Sequence, residues 1–316
     1  MIRMQDLRKD FAVRVKAGRF RREKRVVSAV DGVSLTIEPG EMVGYIGPNG
    51  AGKSTTLKML TGVLTPTSGE VSVFGLTPVP QRTRLALRIG VVFGQRSQLW
   101  WDLPLRESFR LLRHIYRVPP AEHEARLRRC RALLELDAFL DTPVRQLSLG
   151  QRMRGEMTAA LLHGPKVLFL DEPTIGLDVV SKQAVRSFLA ELGATGDVTL
   201  VLTTHDLADI ERLCDRLVVI DHGRVVHDGT IEALHARYGS LRSLVVDLEA
   251  PLPPDFTVEG ATLTAVEADG HRVTFALDST SAGTAVASLV TAASVRDLSV
   301  VEPDIEDVVA RLYAAG

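Results

Sequence analysis

An α/β fold with a smaller α+β module behind it is predicted by three features of the 316-residue chain. Over roughly the first 240 residues, short β-branched runs alternate with longer stretches of helical period, the pattern of strands joined by crossover helices. A glycine-rich turn, Gly47-Pro48-Asn49-Gly50-Ala51-Gly52-Lys53-Ser54, interrupts that alternation directly after an apolar run. Past Ser240 the period shortens to two: Leu244, Val246 and Leu248, then Val273, Phe275 and Leu277, alternate with polar neighbours.

Along the chain, strands are expected at Glu41–Ile46, Gly90–Phe93, Val167–Leu170, Thr199–Thr203 and Arg216–Ile220. Between Leu105 and Leu136 the spacing of Leu105, Phe109, Leu112 and Tyr116 predicts a charged helical stretch. Ser148 can cap a helix that runs to His163 and closes with Gly164 and Pro165. A last helix starts at Asp304, after Pro303, and carries Ile305, Val308, Val309 and Leu312 on one face. The tail therefore reads as a compact β-rich module with one or two helices, and the domains as 1–239 and 240–316.

Composition narrows the function classes. Lys and Arg number 38 against 39 Asp and Glu, so global charge does not drive binding to a polyanion such as nucleic acid. The two cysteines, Cys130 and Cys214, form no disulfide framework and read as thiols of a reducing compartment. The apolar runs fall far short of the ~20 residues that span a bilayer, and the basic N-terminus has no apolar segment behind it. A soluble intracellular protein is expected. Its charge is nonetheless uneven: Arg3–Arg25 holds ten basic residues against three acidic, and Leu244 to the end holds twelve carboxylates against three arginines. The basic stretch is a solvated face, or a contact for anionic headgroups or an acidic partner.

The turn at Gly47–Ser54 fits G-x-x-x-x-G-K-[ST] and follows the expected strand Glu41–Ile46. Glycines let consecutive backbone N–H groups face phosphate oxygens, and a helix beginning near Lys53 adds its positive end. In that chemistry Lys53 reaches the β- and γ-phosphates and the Ser54 hydroxyl ligates Mg²⁺. The run Val167–Leu170 ends in two carboxylates. Asp171 can hold the metal through water, and Glu172 stands where it can polarise an attacking water. Ser148, at a second helix N-terminus, suggests a further anion site for a nucleotide delivered by another subunit.

These residues and their order resemble the ATP-binding subunit of an ABC transporter over Met1 to about Gly239. Leu147-Ser148-Leu149-Gly150-Gln151 resembles the signature LSGGQ, with Leu149 in place of the first glycine. Gln95 sits at the Q-loop position, Asp178 at the D-loop position and His205 at the switch position. The resemblance implies a P-loop ATPase core, a helical signature subdomain and an antiparallel β-rich lobe, followed by a small acidic accessory domain. It implies ATP and Mg²⁺ as ligands, with Gly47, Asn49, Gly50, Gly52, Lys53, Ser54 and Thr55 cradling the phosphates. Ser54, Gln95 and Asp171 would hold the metal; Glu172, His205 and Gln95 would serve hydrolysis. Ser148, Gly150, Gln151 and Asp178 would face the nucleotide of a second subunit in a head-to-tail pair. The adenine-stacking aromatic is displaced by a basic insertion at about residues 12–26, expected to form a surface loop. Phe11 and Phe20 are the candidates, and Leu7-Arg8-Lys9-Asp10-Phe11 favours Phe11.

The resemblance further implies a separate transmembrane permease, a homodimer or paired ATPase subunit, no nucleic acid, and a peripheral position on the cytoplasmic face of the cell membrane. The texture of Phe93–Asp102 and Gln146–Met153 is that of bacterial drug- and polysaccharide-export systems, so a drug-like or glycan-type cargo is expected. Arg96–Pro104 contains both tryptophans, Trp100 and Trp101. They are either partner anchors, with at least one substantially exposed, or buried in the helical subdomain. The rival reading is a soluble ABC ATPase acting on ribosomes or DNA. Against it, the chain has one ATP cassette and no coiled coil between Lys53 and Ser148.

Overall fold

The computed structural model describes residues 1–16, 22–94, 97–204, 206–238, 242–253, 256–258, 260–277, 282–301 and 305–315. They form two compact units, Met1–Ile231 and Glu232–Gly316. That division falls ahead of Gly239–Ser240, the position read from composition, which lies outside the described residues.

The first unit opens on a long hairpin, β1 (Ile2–Lys16) and β2 (Arg22–Ile37). A surface loop is not what the basic insertion forms: pairing continues from Ala12 opposite Val26 to Lys16 opposite Arg22. The β-branched Val13, Val15, Val26 and Val27 favour extended backbone, and this preference prevails over the charge of the stretch. There follow β3 (Met42–Ile46), α1 (Lys53–Leu60) and β4 (Ser68–Val73). Pairing of β4 with β1 completes an antiparallel sheet of order β2-β1-β4.

After α2 (Arg82–Ala86) and β5 (Ile89–Phe93) come α3 (Leu105–Ile115) and α4 (Pro120–Leu133). The expected helical stretch 105–136 is thus two helices. Pro119 and Pro120 bring no N–H to continue α3, and the chain turns at Arg117, whose φ is 53°. Then α5 (Leu149–Leu161), β6 (Val167–Asp171), α6 (Val179–Ala194), β7 (Thr199–Thr203), α7 (Leu207–Leu213), β8 (Arg216–Asp221) and β9 (Arg224–Thr230) close the unit.

A six-stranded sheet of order β5-β6-β7-β3-β8-β9 runs through it, parallel except for β9. Val167–Leu170 of β6 is fully buried, which explains an unbroken apolar run where an exposed face would impose alternation. Edge strand β9 alternates half-buried and exposed positions. Because β3, β6 and β7 are parallel neighbours in this order, their carboxyl ends meet on one rim, where α/β sheets bind ligands.

The second unit begins within α8 (Ile231–Tyr238) and continues with β10 (Ser243–Leu248), β11 (Ala261–Glu267), β12 (Arg272–Leu277), α9 (Ala282–Ala292), β13 (Val295–Val301) and α10 (Ile305–Ala315). Its sheet is antiparallel, in the order β11-β12-β10-β13. Leu244, Val246, Leu248, Val273, Phe275 and Leu277 form its core with Ala285 and Leu289 of α9. Ile305, Val308, Val309 and Leu312 are buried on α10; the expected cap Asp304 lies outside the described residues. No helix among the described residues is long and apolar enough to cross a membrane.

Candidate active site

The rim position of the Gly47–Ser54 turn follows from β3 lying between β7 and β8. Its glycines answer to different demands. A Cβ on Gly47 would stand 2.4 Å from the Ile220 carbonyl oxygen, and one on Gly52 2.3 Å from that of Ala29. Gly50 has open space around it but a φ of 85°, which side chains disfavour. Gly52 precedes α1 without a side-chain cap, so the first N–H groups of that helix remain for an anion. Thr55 is half-buried and Asn49 exposed.

Lys53 is 6% exposed, and its Nζ donates to the carbonyls of Gly47 at 2.5 Å and Pro48 at 3.2 Å. Burial lowers its pKa, while the charges of Glu172 and Asp171 pull it back up. Ser54 Oγ donates to the Asp171 carboxylate at 3.1 and 3.3 Å, and Thr203 Oγ1 donates to it at 2.6 Å. A hydroxyl and a carboxylate side by side at the mouth of a phosphate loop are hard oxygen donors. They suit a magnesium ion whose remaining ligands are water and phosphate.

Glu172 sits at a φ of 56°, in the left-handed region, and its N–H donates to the Thr203 carbonyl at 2.9 Å. Such a conformation costs about 1–3 kcal/mol in a non-glycine residue and recurs at functional sites. Just beyond it, Thr174 Oγ1 donates to Asp209 Oδ2 at 2.6 Å. Asp209 is buried and also accepts from Arg186 Nε, while Lys182 pairs with Asp206, the cap of α7. Burial tends to raise the Asp206 pKa, but Lys182 and Arg186 together hold it below the usual range. The turn after β6, α6 and α7 are thus fixed to one another. His205 lies outside the described residues, as do Gln95 and Phe20.

Sequence reasoning missed Thr203, Thr174, Lys182, Arg186 and Asp209. Lys182 and Arg186, one helical turn apart on α6, read from spacing alone as a solvated basic face, so no local signal marked their acidic partners.

At the signature segment Ser148 caps α5 in a capping box. Its Oγ accepts the Gln151 N–H at 3.2 Å, and Gln151 Oε1 accepts the Ser148 N–H at 2.9 Å. The Gln151 side chain is therefore committed to the cap. Leu149 is exposed, whereas Gly150 is buried. A Cβ on Gly150 would lie 2.1 Å from Ser181 Oγ, which donates to the Asp178 carboxylate at 2.7 Å. Asp178 caps α6 and has a lowered pKa, chiefly through the Ser181 N–H. Ser148, Gly150 and Asp178 thus gather at one place, and no hydrogen bond or ion pair among the described residues joins them to the Gly47–Ser54 turn. Gly150→Ala is expected to displace Ser181 and lower the unfolding free energy by about 1–3 kcal/mol, measured by urea denaturation.

Phe11 is 37% exposed, pairs with Val27, and has Lys9 Nζ 5.3 Å from its ring centre. Two residues beyond Val27, the Ala29 carbonyl abuts Gly52, so the hairpin passes beside the phosphate loop. Trp100 and Trp101 are 37% and 53% exposed, so neither is buried in the helical subdomain.

The sequence profile of the ABC transporter family matches residues 30–175. The chain is 35% identical over 217 residues to the ABC transporter ATP-binding protein NatA of Bacillus subtilis, spanning 69% of this chain and 88% of that protein. It is 36% identical over 259 residues to the Nod factor export ATP-binding protein I of Rhizobium meliloti, spanning 79% and 76%. Among solved structures, a dimeric ATP-binding cassette in a post-hydrolysis state with ADP and phosphate superposes with a TM-score of 0.62 at 28% identity, covering 73% of this chain and 99% of that one. An ATP-binding subunit of an ABC transporter gives 0.63 at 28% identity, covering 75% and 92%. With its phosphate loop, the Asp171–Glu172 strand end and the signature helix in place, the chain belongs to the ATP-binding subunits of ABC transporters and is an ATPase.

Proposed function

We propose that two copies of this chain, or this chain and a paired ATPase subunit, close head to tail on two ATP molecules and drive a separate transmembrane permease. The observation that carries the reading is the gathering of Ser148, Gly150 and Asp178 around Ser181, with no hydrogen bond among the described residues to the chain's own phosphate loop. Such a half-site has a use once a second subunit presents its nucleotide.

In that assembly Lys53 and the backbone N–H groups of the turn bind the β- and γ-phosphates, and Phe11 stacks on adenine. Magnesium, held by Ser54 with Gln95 and through water by Asp171, would neutralise charge between the two phosphates. Glu172 accepts a proton from water as its oxygen attacks the γ-phosphorus, and the bond to the bridging oxygen breaks to leave ADP and phosphate. His205 would contact the γ-phosphate, and Ser148 with Gly150 would close the site from the partner subunit.

Trp100 and Trp101 offer the surface for the permease on the cytoplasmic face of the membrane. The relative named for Nod factor export supports an outward direction, and a drug-like or glycan-type cargo is the proposal for what is carried. A tagged chain purified from native membranes is expected to bring down a multi-span membrane protein, with severalfold lower recovery for the double variant Trp100→Ala, Trp101→Ala. Recovery of ribosomes or DNA-repair components in its place would support the soluble alternative.

A further inference from the structure

The segment bearing the two tryptophans is secured to the signature helix by polar contacts that the functional reading leaves unused. Glu156, on α5, is 5% exposed. Its carboxylate accepts the Ser97 hydroxyl proton through Oε1 and the Gln98 N–H at 3.1 Å through Oε2. The Gln98 side-chain amide then donates to two carbonyls, Val91 of β5 at 3.4 Å and Glu156 itself at 3.3 Å. A second tether lies on the approach to Ser148. The Arg145 N–H donates to the Trp101 carbonyl at 2.9 Å, and the Arg145 guanidinium pairs with Asp102 at 2.7 Å.

A buried carboxylate is costly unless its oxygens are satisfied. Burial does push the Glu156 pKa up, with the Ser97 and Gln98 bonds acting against it. Apolar packing alone does not fix the segment. A cavity of about 180 Å³ lies between Trp101, Phe93, Met153 and Glu156, so one side of Trp101 lacks close neighbours. Leu99 is buried beside Gly155 of α5, and the hydrogen bonds add the directional hold that this single apolar contact lacks.

We infer that Glu156 is a positioning residue that locks the exposed Trp100–Trp101 surface to the signature helix, so that the two move as one body when nucleotide binds. The inference deepens the proposed docking reading and rests on it for its purpose, but the contacts it uses lie within this one chain. Movement at Ser148 and Gly150 is transmitted through α5 and Glu156 to Ser97 and Gln98, and from there to the tryptophans.

Trp100 and Trp101 are the only tryptophans, so fluorescence excited at the red edge of indole absorption, where the four tyrosines do not absorb, reports on this segment alone. Magnesium-ATP is expected to change the wild-type emission, and Glu156→Ala to lose that change while calorimetry shows ATP binding retained. Glu156→Gln should restore the response. Its Oε1 can accept the Gln98 N–H and its Nε2 can donate to Ser97 Oγ, whose proton then turns to the Leu99 carbonyl, 3.5 Å away. A general loss of packing would show no such rescue. Should Glu156→Ala not fold, Ser97→Ala, which deletes only the hydroxyl, is read in the same way.

An ATP-bound Glu156→Ala chain with the wild-type emission change would overturn the inference, as would a wild-type emission that ignores bound ATP. Absence of ATP binding in the wild-type chain would instead overturn the nucleotide-site reading. Because no permease enters the assay, the docking surface stands or falls separately, on recovery from membranes.

Discussion

Glu172→Gln is expected to bind ATP as the native chain does and to hydrolyse it about 10²–10⁴-fold more slowly, the usual contribution of a positioned general base. The substitution is close to isosteric and leaves the strained backbone at φ 56° and its bond to Thr203 in place. What it removes is the carboxylate's capacity to take the proton from water. Lys53, Ser54 and Asp171, which engage phosphate and metal, keep their geometry. A chain that binds but does not cleave should accumulate as an ATP-held pair. Size-exclusion chromatography in magnesium-ATP is expected to show a dimer for the variant and mainly monomer for the native chain after turnover. Hydrolysis at the native rate would remove Glu172 from the role of base. Slow hydrolysis without a dimer would keep that role and count against the head-to-tail assembly.

The phosphate loop was legible because its constraints, even those imposed by the distant Ile220 and Ala29 carbonyls, fall on glycines within one short run. Gly47 and Gly52 stand where a Cβ meets a backbone oxygen, and Gly50 where φ is positive, so the motif records its own geometry. The strand ending in Asp171 was legible because a buried parallel strand carries no polar alternation. Features set by distant pairing were hidden. Thr203 meets Asp171 across 32 positions of sequence and Thr174 meets Asp209 across 35, and neither threonine stands out in its own surroundings. The left-handed turn at Glu172 was invisible for the opposite reason: a residue chosen for chemistry occupies a conformation that glycine ordinarily marks. At the N-terminal insertion, the extra length relative to the resembled family suggested a loop, whereas Val13, Val15, Val26 and Val27 favoured extended, paired backbone. Read by periodicity alone, 105–136 merged two helices that Pro119 and Pro120 separate.

Lys53→Ala is expected to weaken ATP binding about 10²–10³-fold, or about 3–4 kcal/mol, the cost of truncating one partner of a buried charge pair. The Nζ donates to the Gly47 and Pro48 carbonyls, which are weaker partners than a phosphate oxygen. Burial depresses the Lys53 pKa, so the fold disfavours the charged form, and at neutral pH the cation detracts from stability until an anion arrives. Two opposite results follow from that sign. Without ATP the variant should melt at or slightly above the native temperature, since a poorly solvated ammonium has been removed. With ATP at a hundred times the native Kd, the native chain should gain about 2.7 kcal/mol and the variant little of it. Thermal unfolding with and without ATP measures both. Equal stabilisation of the two chains would show that Lys53 does not reach the phosphates. A large loss of stability without ATP would show that its bonds to Gly47 and Pro48, not the nucleotide, are its main purpose.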